Sequence, residues 1–344
     1  MITWVRRQTM KSFALTLAIA TASGAETIRS ISTFAMGQAV NATGPDSITV
    51  GGGSIWVSYT NGADSTGLNG SSTVVQYNLD GSVHKIFTIA GSVDGLKIEP
   101  KSGLVWALQN QDGNSTLTLI DPKTGITPNS PLHYQITSST QGYDDVVFLD
   151  GQIFLSYTNP AAPADPTIQR LENRVSPLVV APILTMGATG VNLATGQSNQ
   201  LTSQNDPDSL KSTPGGGLVL SSGDDGQLIF VLHPGTDDQK VAFLSLITST
   251  KAPVSGLDDA IFPASEAGTF YLTDTGNNRV LKIEVEDIAP GSLYASVGSV
   301  NQFVKVDLHT GVITPVVTTL SAPHGLAFVP SRDENSGNDE GSDR

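Results

Sequence analysis

The sequence contains the stretch Leu257-Asp258-Asp259-Ala260-Ile261-Phe262, continued after a turn by Gly268-Thr269-Phe270-Tyr271-Leu272-Thr273-Asp274 and then by Arg279-Val280-Leu281-Lys282-Ile283. These three parts predict an apolar strand opened by a carboxylate, a strand that ends in polar residues, and a third strand after a turn. Charged residues make up only 15% of the 344 residues, and no long segment has the 3.6-residue apolar period of a helix. The chain is therefore predicted to be all-β.

Weaker copies of the first strand recur along the chain, each opening with an apolar residue and a polar one. The openings are Pro45-Asp46-Ser47-Ile48, Val93-Asp94-Gly95-Leu96, Tyr143-Asp144-Asp145-Val146, Pro207-Asp208-Ser209-Leu210, Leu257-Asp258-Asp259-Ala260 and Pro323-His324-Gly325-Leu326. Successive copies are 48, 50, 64, 50 and 66 residues apart, close to the roughly 40–50 residues of a four-stranded propeller blade. Six blades are predicted, with five or seven as alternatives.

Each opening is followed by predicted second and third strands, which in the fifth copy are Gly268–Thr273 and Arg279–Glu284. Residues 288–320 supply more strands than the fifth blade needs, and their division between blades five and six stays open. The segment Thr27–Met36 has the pattern of an outer strand, and His324–Val329 that of an inner strand. A ring can pair both in one blade, which removes free sheet edges. Ser176–Gln200 interrupts the repeat and is predicted to be an outer hairpin or loop.

The N-terminal segment has the pattern of a secretory signal. It carries Arg6, Arg7 and Lys11, then the apolar run 13–22, then the small residues 23–25. A membrane anchor is disfavoured, because the apolar run is well short of the roughly 20 residues needed to span a bilayer. The paired arginines leave a twin-arginine signal as an alternative. Residues 1–25 are thus predicted to be a signal peptide and the mature protein to be secreted or periplasmic, with no membrane span.

The mature chain is predicted to be a propeller over residues 26–330, followed by a disordered acidic tail over 331–344 that has no apolar anchor. The chain has no cysteine, which excludes disulfides and thiolate metal sites. Its formal net charge of −14 argues against nucleic acid as a partner.

The segment Leu272-Thr273-Asp274-Thr275-Gly276-Asn277-Asn278-Arg279-Val280-Leu281 resembles the signature of NHL-type repeats, and the strand openings resemble those of six-bladed propellers in general. Only the fifth copy matches the signature well. Propellers of this type include binding modules, sugar lactonases of the gluconolactonase (SMP-30-like) kind and streptogramin B lyases. The resemblance therefore implies a fold without selecting an activity.

Two columns of polar residues are expected at one mouth of the central channel, because inner strands begin and second strands end on the same face of the disk. The first column consists of Asp46, Asp94, Asp144 or Asp145, Asp208, Asp258 or Asp259, and His324. The second consists of Asn61, Asn110, Asn159, Asp224, Asp274 and Asn277. Carboxylate and amide oxygens are the ligands of Ca²⁺, so the first column predicts a site for Ca²⁺ or another divalent cation.

Turn capping is the alternative for these residues, since Asp and Asn at strand ends commonly hydrogen-bond the nearby backbone. Converging carboxylates would instead raise one another's pKa, and a cation would relieve the repulsion. His324 is the predicted catalytic residue because it is the only titrating group of the first column other than aspartate. Tyr59 and Tyr157 are expected to line the mouth and stack on a ligand.

The sequence thus favours a monomeric exported module that binds a protein, peptide or carbohydrate at the channel mouth, through Tyr59, Tyr157 and the second column. The alternative is a cation-dependent hydrolase or lyase that uses the same face. The resemblance implies the lactonase chemistry for that alternative, in which a central cation polarises the substrate carbonyl and a carboxylate acts as base.

Overall fold

A computed structural model describes residues 26–135 and 138–331. Its elements are 27 β-strands and three short 3₁₀ turns (Gly37–Val40, Thr275–Asn277 and Gly298–Val300). The strands are β1 (Thr27–Met36), β2 (Pro45–Gly51), β3 (Ser54–Tyr59), β4 (Ser71–Asn78), β5 (Val83–Ala90), β6 (Val93–Ile98), β7 (Val105–Gln109), β8 (Thr116–Asp121), β9 (Gly125–Ile126), β10 (Leu132–His133), β11 (Tyr143–Leu149), β12 (Gln152–Tyr157), β13 (Pro166–Asn173), β14 (Val179–Thr185), β15 (Thr189–Asn192), β16 (Gln200–Leu201), β17 (Pro207–Ser212), β18 (Leu218–Ser222), β19 (Gln227–Leu232), β20 (Lys240–Ser245), β21 (Leu257–Ile261), β22 (Gly268–Asp274), β23 (Arg279–Glu286), β24 (Leu293–Val297), β25 (Gln302–Val306), β26 (Ile313–Val317) and β27 (Pro323–Pro330). The part of the chain that the structure describes contains no helix with the length and hydropathy of a membrane span.

The strands form six sheets arranged as the blades of a propeller. From the centre outward, blade 1 is β2-β3-β4-β5 and blade 3 is β11-β12-β13-β14. Blade 2 is β6-β7-β8, with the short strands β9 and β10 both paired to β8. Blade 4 is β17-β18-β19-β20, extended outward by β15, which runs parallel to β20, and by β16. The inner strands contact one another around the full ring, which confirms the predicted six-bladed, all-β propeller.

The stretch Leu257–Ile283 is divided between blades 5 and 6, contrary to the prediction that it forms one unit. The inner strand β21 pairs with β24, and blade 5 continues through β25 and β26. The hairpin β22-β23 lies in blade 6, where β22 pairs with the C-terminal inner strand β27. The extra strands of residues 288–320 therefore belong to blade 5.

The ring closes as the sequence indicates. The N-terminal strand β1 pairs with β23 as the outer strand of blade 6, and β27 is the inner strand of the same blade. Residues from the two ends of the described chain thus lie in one sheet. Strand β1 thus covers the edge of β23 that would otherwise be exposed.

The apolar core lies between neighbouring blades. Trp56 of blade 1 packs with Leu96 and Val105 of blade 2, and Trp106 of blade 2 packs with Val146 and other residues of blade 3. Both tryptophans are almost fully buried. Burial of each large apolar side chain contributes about 1.5–3 kcal/mol, so the blades are held together mainly by these contacts.

The interruption at Ser176–Gln200 is built from strands on the outside of two blades. It supplies β14 to blade 3 and β15 with most of the β15–β16 hairpin to blade 4, in agreement with the predicted outer hairpin. The predicted signal peptide and the acidic tail beyond Ser331 lie outside the described residues.

Candidate cation site at the channel mouth

A β-bulge near the start of every inner strand shapes the channel mouth. In blade 1 the pairs Pro45–Tyr59 and Ile48–Val57 are three residues apart on β2 but only two apart on β3. The same excess of one residue on the inner strand occurs in the other five blades. A bulge breaks the alternation of side chains, so the second and third residues of an inner strand can both face the channel. This resolves the choice between Asp144 and Asp145, because both line the channel.

Buried serines on second strands hold three of these bulges. Ser58 Oγ accepts a hydrogen bond from the Ser47 backbone N–H at 3.0 Å, and Ser156 Oγ accepts one from the Asp145 N–H at 2.8 Å. In blade 5, Ser296 holds the bulge of β21 in the same way, at 3.0 Å. Each serine precedes the last residue of its strand. This recurring serine position was not predicted from the sequence.

The mouth opens into a cavity of about 260 Å³. Its walls carry eight aspartates, together with Lys211, His324 and four uncharged residues. The aspartates are Asp46, Asp94, Asp144, Asp145, Asp206, Asp208, Asp258 and Asp259. The structure thus brings together the whole first column, including both members of each aspartate pair, and adds Asp206. The excess of carboxylates over cations gives the cavity a strongly negative potential.

His324 lies between two carboxylates. Its Nδ1 atom is 3.0 Å from an oxygen of Asp46 and 3.0 Å from an oxygen of Asp258. The charge of Asp258, followed by the hydrogen bonds to both carboxylates, raises the pKa of His324 to about 12 against the opposing effect of burial. The side chain is therefore an imidazolium at neutral pH in the ion-free protein. This differs from its predicted role as the titrating catalytic group, since an imidazolium cannot accept a proton.

Three further carboxylates of the first column lack compensating charge. Asp94 Oδ2 is buried without any hydrogen-bond partner, while Oδ1 accepts a bond from Ser92 Oγ at 3.2 Å. Over residues 26–135 and 138–331, no side-chain hydrogen bond involves Asp144 or Asp208. None of the three caps the backbone, so the turn-capping alternative does not describe their contacts.

Electrostatic repulsion acts on the same three groups. Burial raises the pKa of Asp94 well above its ordinary value, and the neighbouring Asp46 raises it further. Burial, with the charges of the other carboxylates, has the same effect on the pKa of Asp144 and of Asp208. A bound cation is the usual relief for carboxylates in this situation.

Deeper in the channel, Asp145 and Asp259 form a separate ion-pair layer. Lys211 Nζ lies 3.1 Å from Asp145 Oδ2 and 2.8 Å from Asp259 Oδ1. Lys97 Nζ lies 3.6 Å from Asp145 Oδ2. Burial opposes ionisation of Asp145, but the charges of Lys211 and Lys97 outweigh it and lower the pKa of the carboxyl. Asp145 and Asp259, which were predicted to be cation ligands, therefore pair with lysines instead.

Asp206 is a mouth residue that sequence reasoning missed. It precedes the inner strand β17, at a position where the other five blades have glycine, serine or alanine. Burial, followed by the charges of Asp224 and Asp112, raises its pKa to about 6. A carboxyl with this pKa exchanges protons near neutral pH, so it has the property that was expected of His324.

The asparagines of the second column serve the turns at the ends of second strands. Asn61, Asn110 and Asn159 all have positive φ, at 54°, 64° and 53°. The amide of Asn61 accepts a hydrogen bond from the Thr43 N–H and donates to Thr73 Oγ1, both at 2.9 Å. The Asn110 and Asn159 amides donate to backbone carbonyls. Turn capping, the alternative given for these residues, thus accounts for their contacts.

The remaining predicted ligand-binding residues are not brought into the cavity. Asp274 is fully buried in an ion pair with Arg279 at 2.7 Å, and Asn277 donates to the same carboxylate. Asp224 is exposed outside the cavity lining. Tyr157 is half-buried against Tyr143.

Tyr59 does not line the mouth, contrary to the expectation from the sequence. Its side chain is fully buried in the core, and its hydroxyl lies 2.8 Å from that of Tyr77. The tyrosine at the end of β3 packs between sheets, because the bulge shifts only the inner strand.

The donor set of the mouth fits a hard divalent cation. One ligand atom each from Asp46, Asp258 and His324 lie within 4.8 Å of one another. The partnerless Asp94 Oδ2 and the free carboxylates of Asp144 and Asp208 add oxygen donors on the same cavity wall. Ca²⁺ takes six to eight oxygen ligands, which this ring and water can supply.

Comparison with known proteins identifies the fold and no closer relationship. No protein-family model and no curated protein matches the sequence. A protein of unknown function from Bacteroides caccae is similar in structure, with a TM-score of 0.50, 11% identity, and coverage of 83% of this chain and 87% of that one. A candidate gluconolactonase has a TM-score of 0.50 and 11% identity, with 85% and 82% covered. The periplasmic gluconolactonase of Pseudomonas aeruginosa has a TM-score of 0.49 and 13% identity, with 83% and 88% covered. The fold is that of the NHL-repeat and gluconolactonase (SMP-30-like) propellers, which by itself does not fix a function.

Proposed function

We propose that the protein binds a divalent cation, Ca²⁺ in particular, at the channel mouth and recognises an oxygen-rich small ligand there. Asp46, Asp94, Asp144, Asp208 and Asp258 are the carboxylates that would hold the cation. His324 lies between two of them and would lose its proton if it joined the ligand set. A divalent cation held by these carboxylates would leave coordination positions for oxygen atoms of a ligand.

The observation that carries this proposal is the Asp94 carboxylate. A buried carboxylate oxygen with no partner costs free energy, and proteins normally avoid it. Asp144 and Asp208 face the same cavity and are also unpaired. This one cavity therefore lacks positive charge to balance its carboxylates.

Calorimetric titration of EDTA-treated protein with CaCl₂, MgCl₂ and MnCl₂ tests the cation site. We expect one Ca²⁺ per chain, with binding abolished in Asp94→Asn and in Asp208→Asn. Asp150→Asn is the matched control, because Asp150 is exposed in the turn at the other end of β11 and its φ of 48° suits asparagine. If the wild type binds none of the three cations, the proposal fails.

A second candidate function, hydrolysis of a lactone or similar ester, is favoured by Asp206. A carboxylate with a pKa of about 6 can accept a proton from a water molecule that attacks a carbonyl carbon. The carbon–oxygen bond of the ester then breaks, and the proton is delivered to the departing alkoxide to give a hydroxy acid. A bound cation supplies Lewis acidity that polarises a substrate carbonyl. Asp206 lines the same cavity as the cation carboxylates, so it could reach a ligand held there.

Hydrolysis and binding can be separated with one variant. A panel of sugar and aliphatic lactones is assayed for acid release with Ca²⁺ and with EDTA. Asp206→Asn is expected to lower kcat at least 100-fold while leaving Ca²⁺ affinity within threefold, because the residue acts on water and not on the ion. A lactone that is turned over equally by this variant would exclude Asp206 as the base. Turnover unaffected by EDTA would exclude the cation.

We also propose that the protein acts outside the cytoplasm as a monomer and takes a carbohydrate, peptide or protein surface as its ligand. The support for export is the signal-like sequence of residues 1–25. Fractionation of cells expressing the full chain, with N-terminal sequencing of the product, tests the export. A product that retains residue 1 in the cytoplasm would overturn it.

A further inference from the structure

A second cavity, of about 300 Å³, lies at the opposite end of the channel from the carboxylates. It is bounded by the final residues of inner strands and the turns that follow them. The residues that matter here are Lys97, Phe148, Ile261, Phe262, Ala264 and Phe328. Aromatic and aliphatic side chains share its walls with Lys97 and Lys211, in contrast to the mouth, where eight aspartates meet.

Lys97 is the charged residue of this cavity without a complete set of partners. The nearest carboxylate oxygen, Asp145 Oδ2, is 3.6 Å away, beyond hydrogen-bond distance. That oxygen is already bound by Lys211 Nζ at 3.1 Å and by the Leu210 N–H at 3.1 Å. Among the described residues, no hydrogen bond is donated by Lys97 Nζ. The ammonium group of Lys97 thus has N–H donors without acceptors at the wall of this cavity.

Desolvation of Lys97 agrees with this geometry. Its side chain is only 19% exposed. Burial lowers its pKa to about 8, and Asp145 offsets the effect only in part. The amine is still mainly protonated at neutral pH. An anion beside it would restore the charge compensation that the protein leaves incomplete.

The cavity continues into a neighbouring one of about 500 Å³, with which it shares Ser212, Phe262 and Ala264. The neighbouring cavity adds apolar residues such as Pro214 and Pro290, together with one carboxylate, Glu266. Binding sites for small ligands are typically about 300–1,000 Å³, apolar, and oriented by a few polar groups. Lys211 also lines the cavity but is already paired with Asp145 and Asp259. Lys97 is therefore the cation left to bind the anionic head of a ligand with an apolar body.

We propose that this face of the propeller is a second binding site for an alkyl carboxylate. The carboxylate head accepts hydrogen bonds from Lys97 Nζ. The hydrocarbon chain packs on Phe148, Phe262 and Phe328. A phosphate or a sugar would leave the phenyl rings in contact with polar groups, and a cationic amphiphile would repel Lys97. Lys211 lines both this cavity and the mouth, so the two sites have to be tested separately.

Calorimetric titration with sodium octanoate, carried out in EDTA so that no cation occupies the mouth, tests the proposal. One octanoate per chain is expected to bind. Octanamide, which has the same chain and no charge, is expected to bind about 10–100-fold more weakly, as is octanoate to Lys97→Met, because a charge-assisted hydrogen bond is lost. Lys101→Met is the matched control, since Lys101 is an exposed lysine in the turn that follows β6 and should leave affinity unchanged.

Two further variants keep the outcome decisive if Lys97→Met is unstable. Lys97→Arg retains the charge and should keep the preference for octanoate over octanamide. Ala264→Trp fills the exposed end of the cavity and should weaken both ligands together. Equal affinity for octanoate and octanamide, or no binding of either by folded wild-type protein, overturns the proposal. So does unchanged octanoate binding by Lys97→Met.

Discussion

The carboxylate of Asp94 destabilises the folded protein when no cation is present. Its Oδ2 atom is buried without a partner, and the charge of Asp46 adds repulsion. In EDTA, Asp94→Asn should therefore raise the free energy of unfolding by about 1–3 kcal/mol, because an amide carries no charge to compensate. In saturating Ca²⁺ the order should reverse, since the wild type alone gains binding energy. Urea unfolding under both conditions measures the difference.

Asp274 provides the opposite case and serves as the control. It is fully buried, and its oxygens accept bonds from Arg279 Nε at 2.7 Å and from the Ser321 N–H at 2.7 Å. Asp274→Asn should cost about 3–5 kcal/mol whether Ca²⁺ is present or not, because it leaves a partly buried guanidinium unpaired. If Asp94→Asn also destabilises the protein in EDTA, its role is structural.

The protonation state of His324 depends on the two carboxylates beside it. Its pKa of about 12 exceeds the ordinary value of 6.5, so it contributes stability at low pH that is lost as the pH rises from about 6.5 toward 12. In Asp258→Asn the largest cause of the shift is removed, and the pKa should fall. Titration of the imidazole resonances by NMR in EDTA checks this. The same pKa in variant and wild type would mean that the charge of Asp258 does not act on the ring.

At the scale of the strand, the serine that holds each bulge determines where the carboxylates point. Ser156→Ala should destabilise the protein by about 1–3 kcal/mol, because the buried Asp145 N–H loses its acceptor. Ser221 occupies the matching position in β18, and within the described residues no hydrogen bond joins it to the bulge of its own blade. Ser221→Ala should therefore cost less than Ser156→Ala. Thermal denaturation of both variants compares them, and equal losses would contradict the role given to the serine.

The sequence predicted the start of every inner strand, because the apolar–polar opening repeats where the chain enters the channel. It could not assign the hairpin β22-β23 to a blade. The linker before it, residues 262–267, is as long as the linker 99–104, after which β7 stays in the blade of β6. Linker length thus does not distinguish the two cases. The choice depends on which neighbouring strand is free, and that is a property of the whole ring.

The bulges explain why the candidate site was predicted only in part. Strict alternation allows one of two adjacent aspartates to face the channel, and the bulge brings both. Lys211 could not be recognised as the partner of Asp145 and Asp259 from spacing alone, because the three residues come from three different blades. The role of the turn asparagines could not be decided from the sequence, since capping and ligand binding require the same residue type.

For the molecule as a whole, the ring converts six similar strand openings into one charged centre. No single blade contributes more than two of the eight carboxylates. Repulsion among them opposes closure of the ring, while the apolar contacts between blades favour it. The balance between the two should therefore depend on the protonation of the mouth and on any cation bound there.

This balance predicts an unusual dependence of stability on pH. The pKa values of Asp94, Asp144 and Asp208 are raised well above the ordinary 3.8, and that of Asp206 to about 6. Above pH 3.8 the folded protein then binds more protons at these groups than the unfolded chain, so their contribution to stability falls as the pH rises. A bound cation replaces the protons and removes that loss. The increase in Tm caused by Ca²⁺ should grow steadily from pH 4 to pH 7.

Differential scanning calorimetry in EDTA and in excess Ca²⁺ at each pH measures this increase. The comparison at equal pH cancels groups that are not proposed to hold the cation, such as Asp145, whose lowered pKa acts in the opposite direction. The triple variant Asp94→Asn, Asp144→Asn, Asp208→Asn should show no Ca²⁺ effect at any pH and a higher Tm than the wild type in EDTA at pH 7. A Ca²⁺ effect of the same size at pH 4 and pH 7 would show that the ion binds away from the titrating carboxylates, because proton competition at the mouth requires it to vary.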